Sequence, residues 1–65
     1  MHSMRRTEDG TFHIQREQEL IGGLGHKPIA NTSDVVIAVK LVNALNGGSI
    51  PSDLGEVLAG VKWFV

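Results

Sequence analysis

The segment DVVIAVKLVNALN, residues 34–46, is apolar over almost its whole length. From Val35 to Leu45, only Lys40 and Asn43 are polar. Their spacing of three residues puts both on one narrow stripe of a helix, so aliphatic side chains cover the rest of its surface. Such a helix requires burial on most of its sides. We therefore expect the chain to associate with itself or with a partner.

A buried strand over residues 35–42 is the alternative interpretation of this segment, because several of its residues are β-branched. Four features favour a helix instead. Residues that commonly cap helices precede the segment, two alanines lie within it, it is about twelve residues long, and Asn46-Gly47-Gly48 is a stop signal. We predict a helix near Asp34–Asn46, with Thr32 or Ser33 as its N-cap.

The length of the chain limits how this helix can be buried. Sixty-five residues make one domain at most, and a domain of this size buries only about 60% of its unfolded surface. There is no cysteine, which excludes disulfides and thiolate zinc sites. The three histidines lack metal-ligand spacing, so no metal or other cofactor is expected. Dense packing or oligomerisation remains as the means of stabilising so small a domain, and we expect a homo-oligomer.

The N-terminal part of the chain begins with a polar arm, residues 1–10, which ends in the turn dipeptide Asp9-Gly10. The next segment, Thr11–Gln15, alternates polar and apolar residues as a short strand does. It can pair with Arg5–Thr7 as a β-hairpin, or it can be the first turn of a helix that begins at Thr11. In both cases the helix-forming residues that follow predict a first helix near Gln15–Ile21.

The last part of the chain shows a clear helical period. After Ser52, apolar residues recur at helical spacing at Leu54, Val57, Leu58, Val61 and then Phe64 or Val65. This predicts a helix near Ser52–Phe64, antiparallel to the central helix because the connection between the two is short. The expected fold is one small, mainly α domain of two or three helices, whose folded part is residues 11–65. A mixed α+β fold is the alternative.

The glycine-rich segment between the first two predicted helices is the best candidate for a ligand site. Backbone N–H groups near glycines can hold an anion, and neighbouring cations would add attraction. An ordinary helix-terminating loop is the more common occurrence. The candidate ligand-binding residues are Gly23, Gly25, His26, Lys27, Arg5 and Arg6.

The charge distribution disfavours nucleic acid as a partner. The net charge is −1, and neither half of the chain has the basic footprint of a nucleic-acid binder. The longest apolar run is about half of what a bilayer span requires, and Lys40 interrupts it. We therefore expect a soluble, cytoplasmic protein without membrane contact.

No arrangement of residues in the chain indicates catalysis, because each serine lies at a terminus, cap or turn position. The leading hypothesis is a non-enzymatic, homo-oligomeric interaction protein of phage or bacterial type: a regulator, inhibitor or adaptor. A ligand-binding oligomer that holds an anion such as a nucleotide is the first alternative, and a DNA-binding dimer is the second. The predicted interface residues are Val36, Val39, Leu58, Trp63 and Phe64.

Overall fold

The computed structural model describes residues 1–64, so Val65 of the predicted last helix lies outside the described residues. The elements follow in the order β1 (His2–Arg6), β2 (Phe12–Leu20), β3 (Gly23–Thr32), α1 (Val35–Leu45), α2 (Leu54–Ala59) and β4 (Lys62–Trp63). The strands form one antiparallel sheet in the order β1-β2-β3-β4. Strands hold 41% of the residues and helices 27%, so the prediction of a mainly α fold is wrong.

The first two strands form the hairpin that the sequence left open. Met4 lies opposite Ile14 and Arg6 opposite Phe12, so the predicted polar arm is largely a strand. The backbone N–H of Thr7 donates to the Thr11 carbonyl at 2.9 Å and closes the turn. The structure therefore has the hairpin and not the helix that could begin at Thr11.

The predicted helix near Gln15–Ile21 is wrong, because this segment is the second half of β2. Every residue from Gln15 to Leu20 has a Cα partner in β3. Helix propensities differ by a few tenths of a kcal/mol per residue, a weak preference that tertiary pairing overrides. The chain reverses at Ile21-Gly22, where Gly22 has φ +95°, a conformation that glycine adopts without strain.

The glycine-rich segment between the first two predicted helices is part of the third strand. This strand contains a bulge: Ala30 pairs with Ile14 and Pro28 with Gln15, which leaves Ile29 as the extra residue. β1 begins opposite Arg16, and the backbone N–H of Glu17 still donates to the Met1 carbonyl. Residues 18–25 of β2, β3 and their turn therefore continue as a two-stranded ribbon. We call this segment the ribbon.

The central segment is a helix, as predicted, but its N-cap is Asp34 instead of Thr32 or Ser33. The Asp34 carboxylate accepts hydrogen bonds from the backbone N–H of Val36 at 2.8 Å and of Ile37 at 3.4 Å. The Thr32 hydroxyl has another role, since it donates to the Gly60 carbonyl at 2.8 Å. It therefore links the end of β3 to the end of α2.

The predicted stop of α1 is confirmed. The backbone N–H of Gly48 donates to the Asn43 carbonyl at 2.8 Å, and that of Gly47 donates to the Ala44 carbonyl at 3.1 Å. Gly47 has φ +84°. This is the Schellman arrangement, which satisfies carbonyls that the helix leaves without partners.

The last helix is much shorter than predicted, because α2 ends at Ala59 and the chain returns to the sheet as β4. Trp63 pairs with Ala30, and Val61 and Phe64, the later positions of the helical period, lie on either side of β4 and outside any helix. The free edge of β3 offers backbone partners that a longer helix would leave unused. Gly60 is the C-cap of α2 with φ −86°, and the end of the Ile37 side chain lies where a Cβ at this position would be.

The two helices run antiparallel, as predicted. The start of α2 lies beside the middle of α1, where Lys40 Nζ contacts Asp53 Oδ2 at 2.8 Å. The end of α2 lies beside the first turn of α1, where Gly60 approaches Ile37. The hydrogen bond between Lys40 and Asp53 raises the pKa of Lys40 and lowers that of Asp53.

The core lies between the helices and one face of the sheet. Among the described residues, six apolar side chains are buried: Ile14, Ala30, Ala38, Leu41, Val57 and Val61. Thirteen large apolar residues of the same part of the chain are exposed. The core of a single subunit is therefore small even for a domain of this length.

Candidate functional site

The outward face of α1 carries three exposed valines. Val35, Val36 and Val39 are exposed by 44%, 55% and 52%, and their spacings of three and four residues place them on one side of the helix. Ala38 and Leu41, on the other side, are buried in the core. We call the three exposed residues the valine stripe.

The valine stripe carries no charge. Lys40, the only charged residue of α1, is directed toward the start of α2 by its contact with Asp53. Asn43, at the same helical face as Val36 and Val39, is the polar neighbour of the stripe. This composition suits contact with another apolar surface.

The remaining predicted interface residues lie on both sides of the sheet. Leu58 is exposed on α2, next to the buried Val57. Trp63 lies opposite Ala30 and therefore shares the helix side of the sheet. Phe64 lies on the other side, where its ring meets that of His13 edge to face at 5.4 Å. The five predicted residues are thus all exposed but do not form one patch.

The predicted glycine-rich anion loop is part of a strand. Gly23 and Gly25 lie within β3, so their backbone groups follow the strand and do not converge on one point. The Leu20 side chain lies over Gly25, at the place where a Cβ would be. His26 is occupied by the carboxylate of Glu17, 3.7 Å from its Nε2.

The predicted cationic partners of that loop are not close to it. Arg5 lies opposite His13, whereas His26 lies opposite Glu17, four residues farther along β2. At strand spacing this separation is about 13 Å. Arg6 and Lys27 likewise pair with different parts of β2. The structure therefore does not bring the candidate ligand residues together.

A cavity of about 490 Å³ lies beside the β1–β2 turn. The residues that line it are Arg5, Arg6, Thr7, Glu8, Asp9 and His13. Hydrogen bonds from Thr7 and Thr11 lower the pKa of the Asp9 carboxyl from 3.8 to about 2. The Asp9 carboxylate therefore stabilises the turn. The cavity presents both cationic and anionic side chains to solvent.

The face of the sheet away from the helices carries a polar row that sequence reasoning missed. Arg5 pairs with His13, His13 with Asn31, and Asn31 with Lys62. Directly opposite residues of antiparallel strands share a face, so these four form one line across all four strands. We call it the cross-strand row. Only the strand alternation of His13 with Ile14 pointed to it, because the register that aligns the four strands is a property of the fold.

Two kinds of site were not found in the described part of the chain, residues 1–64. No three or more histidine, cysteine, aspartate or glutamate side chains there are grouped to hold a metal ion. None of the helices there has the length and apolar character needed to cross a bilayer.

Comparison with protein-family models, with curated proteins and with solved structures found no match for this chain. Its function is therefore argued from the surfaces of the molecule itself. The valine stripe and the cross-strand row are the two surfaces whose composition indicates what kind of partner they would contact.

Proposed function

We propose that the protein is a non-enzymatic, homo-oligomeric interaction protein, such as a regulator, inhibitor or adaptor, whose copies associate through α1. The exposed, uncharged valine stripe is the observation that supports this proposal most directly. The proposal assigns no catalytic residue. It includes a cytoplasmic location, which the lack of cysteine permits.

A second copy of the chain is the occupant that best suits the valine stripe. In a two-fold dimer both subunits use the same surface patch, so the uncharged valine stripe can pack against its own copy without bringing like charges together. Short β-branched side chains also allow two helices to approach closely. Asn43 beside the stripe supplies a polar group that can fix the register of the helix pair.

The small core supports the same proposal. A subunit with six buried apolar side chains among residues 1–64 belongs to the size class in which oligomerisation commonly supplies the missing stability. Apolar area covered between two copies adds to that core at about 25 cal/mol per Å². Folding and association would then be coupled, and stability would rise with protein concentration.

The test is sedimentation velocity over a wide concentration range, comparing the unmodified protein with Val39→Lys. We expect the unmodified protein to sediment as a dimer or larger oligomer, and Val39→Lys to shift it to monomer because the lysine charge would be buried in the contact. Leu24→Lys is the control, since Leu24 is an exposed apolar residue, at 68% against 52% for Val39, but lies on the ribbon. It should leave the oligomer intact.

Far-UV circular dichroism of each variant shows whether the subunit fold is retained. An unmodified protein that remains monomeric at the highest accessible concentration would contradict the proposal. Equal dissociation by Val39→Lys and Leu24→Lys would contradict the assignment of the contact to α1.

A further inference from the structure

We propose that the sheet face away from the helices binds single-stranded nucleic acid, through the cross-strand row and the neighbouring Phe64. This proposal is independent of self-association through α1, which lies on the other side of the sheet. The net charge of the whole chain gives no indication of this surface, because it does not show where the cations lie.

The face is open because both helices cover the opposite one. Ile14 and Ala30 point into the core under the helices. His13 and Asn31 are their neighbours in sequence, so they point away from it. The row from Arg5 to Lys62 crosses three strand intervals, which is about 14 Å. This is a continuous surface on which an extended chain of nucleotides can lie across the strands.

The charges on this face are positive within the row. Arg5 and Lys62 stand at its two ends, both exposed, and no carboxylate among the described residues belongs to it. Carboxylates border the row: Glu8 and Asp9 line the cavity beside Arg5 and His13, and Asp9 accepts hydrogen bonds within the β1–β2 turn. Glu17 contacts His26. The row itself thus presents one cation at each end, and phosphate contact requires such cations.

Phe64 makes nucleotide bases the better match than an acidic peptide. Its side chain is exposed by 42%, and the His13 ring stands at 79° to it at a centroid distance of 5.4 Å. The edge-to-face contact holds the phenyl ring in place while leaving surface for stacking. Bases stack on such rings without sequence preference.

The neighbouring amide also suits a base. The Asn31 Nδ2 donates to Thr11 Oγ1 at 2.9 Å, which orients the amide on the sheet. Carboxamides pair with base edges through their carbonyl and amino groups. Base edges and faces are accessible together only in single strands, because in a duplex they are stacked and paired. We therefore infer a single strand as the ligand.

The experiment is fluorescence anisotropy of a labelled oligothymidylate titrated with the protein at several salt concentrations. Two phosphate contacts, to Arg5 and Lys62, predict a slope of about −1.4 in log affinity against log salt, at about 0.7 per contact. Lys62→Ala should reduce the slope to about −0.7. Phe64→Leu, which keeps an apolar side chain, should weaken binding about tenfold at every salt concentration.

Lys27→Ala is the matched control, since Lys27 is also an exposed strand lysine but pairs with Arg16 outside the row. It should leave affinity and slope unchanged. Equal effects of Lys27→Ala and Lys62→Ala would overturn the site, as would the absence of binding at low salt. Tighter binding of polyglutamate than of the oligonucleotide would overturn the choice of ligand and indicate an acidic protein partner.

Discussion

At the scale of single residues, Asp9 shows how one exposed side chain specifies a turn. Its carboxylate accepts hydrogen bonds from the Thr7 hydroxyl and from the backbone and hydroxyl of Thr11. These donors favour the ionised form, which is why the Asp9 pKa falls to about 2. The pairing of β1 with β2 therefore depends on a charge that is present at neutral pH.

Asp9→Ala should lower stability in a pH-dependent way. Because the folded-state pKa of about 2 lies below the ordinary 3.8, the contribution of Asp9 is fully present above pH 3.8 and is lost as the pH falls toward 2. Urea denaturation of both proteins at several pH values measures this. We expect the difference between their midpoints to be largest near neutral pH and to narrow below pH 3.8. A difference that is constant with pH would contradict the role of the ionised carboxylate.

Two glycines should respond oppositely to alanine. Gly47 has φ +84° at the end of α1, so Gly47→Ala should cost about 1 kcal/mol of unfolding free energy. Gly55 lies inside α2 with open space where a Cβ would be, so Gly55→Ala should add about 0.5–1 kcal/mol. Thermal denaturation of the two variants compares them directly. A stabilising Gly47→Ala would show that the Schellman turn does not form.

Residue-scale features were predictable where they depend on near neighbours only. Asp9-Gly10 and Asn46-Gly47-Gly48 both stop their elements at the places that the sequence indicates. The capping role of Asp34 was not predicted, because Thr32, Ser33 and Asp34 are all competent N-caps. The choice among them depends on the fold, which holds Thr32 at the end of β3 through its bonds to the Gly60 carbonyl and the Asp34 N–H and places the Asp34 carboxylate over the first turn.

At the scale of whole elements, α1 was predictable and β3 was not. α1 has its caps, its length and its apolar content within thirteen consecutive residues. β3 contains three glycines or prolines in its first six residues, and these weaken any strand pattern. Pairing with β2 on one side and with β4 on the other forms the strand regardless. The partners of β4, Ala30 and Asn31, are distant from it in the sequence, and the hairpin with β2 becomes visible only once Gln15–Leu20 is known to be a strand.

Asp34→Ala tests how α1 begins. The substitution removes the acceptor for the Val36 and Ile37 N–H groups and should cost about 1 kcal/mol. Ser33→Ala is the matched control, because Ser33 is exposed and the cap hydrogen bonds are made by its neighbour. Its effect should be close to zero. Urea denaturation followed at 222 nm gives the change in unfolding free energy for both variants. A larger loss for Ser33→Ala than for Asp34→Ala would show that Ser33 is the N-cap.

At the scale of the whole molecule, the core is confined to one end of an elongated shape. The principal extents are 39, 28 and 19 Å. The ribbon carries Leu20, Ile21 and Leu24, all exposed, with Ile21 fully so. The valine stripe was predictable because a single helix displays it, whereas the cross-strand row requires the register of four strands. The part of the candidate site that lies on one helix could therefore be predicted from the sequence, and the part that crosses the sheet could not.

This shape predicts a gradient of local stability along the second hairpin. Backbone amides of β2 next to the core should exchange with solvent only through global unfolding, whereas those of the ribbon should exchange through local opening. Hydrogen exchange followed by NMR measures the exchange rates of the core-side amides and of the ribbon amides in one experiment. We expect the Ile14 amide to be strongly protected and the Glu19 and Leu24 amides to exchange much faster. Uniform protection along the hairpin would show that ribbon and core unfold together.

The ribbon also determines where this protein can change over evolutionary time. Because its tip contributes no residue to the buried core, the ribbon can lose two adjacent cross-strand pairs, such as Gln18 with Gly25 and Glu19 with Leu24, without disturbing the core. Strand faces and the alternation of hydrogen-bonded and non-hydrogen-bonded pairs both repeat every two residues, so this deletion keeps the register, the faces and the pair that closes the turn. Deletion of a single pair, or of one residue from one strand, would exchange the two faces toward the tip. Related chains should therefore differ in hairpin length by multiples of two pairs, while the bulge at Ile29 and everything on the core side of it keep their spacing.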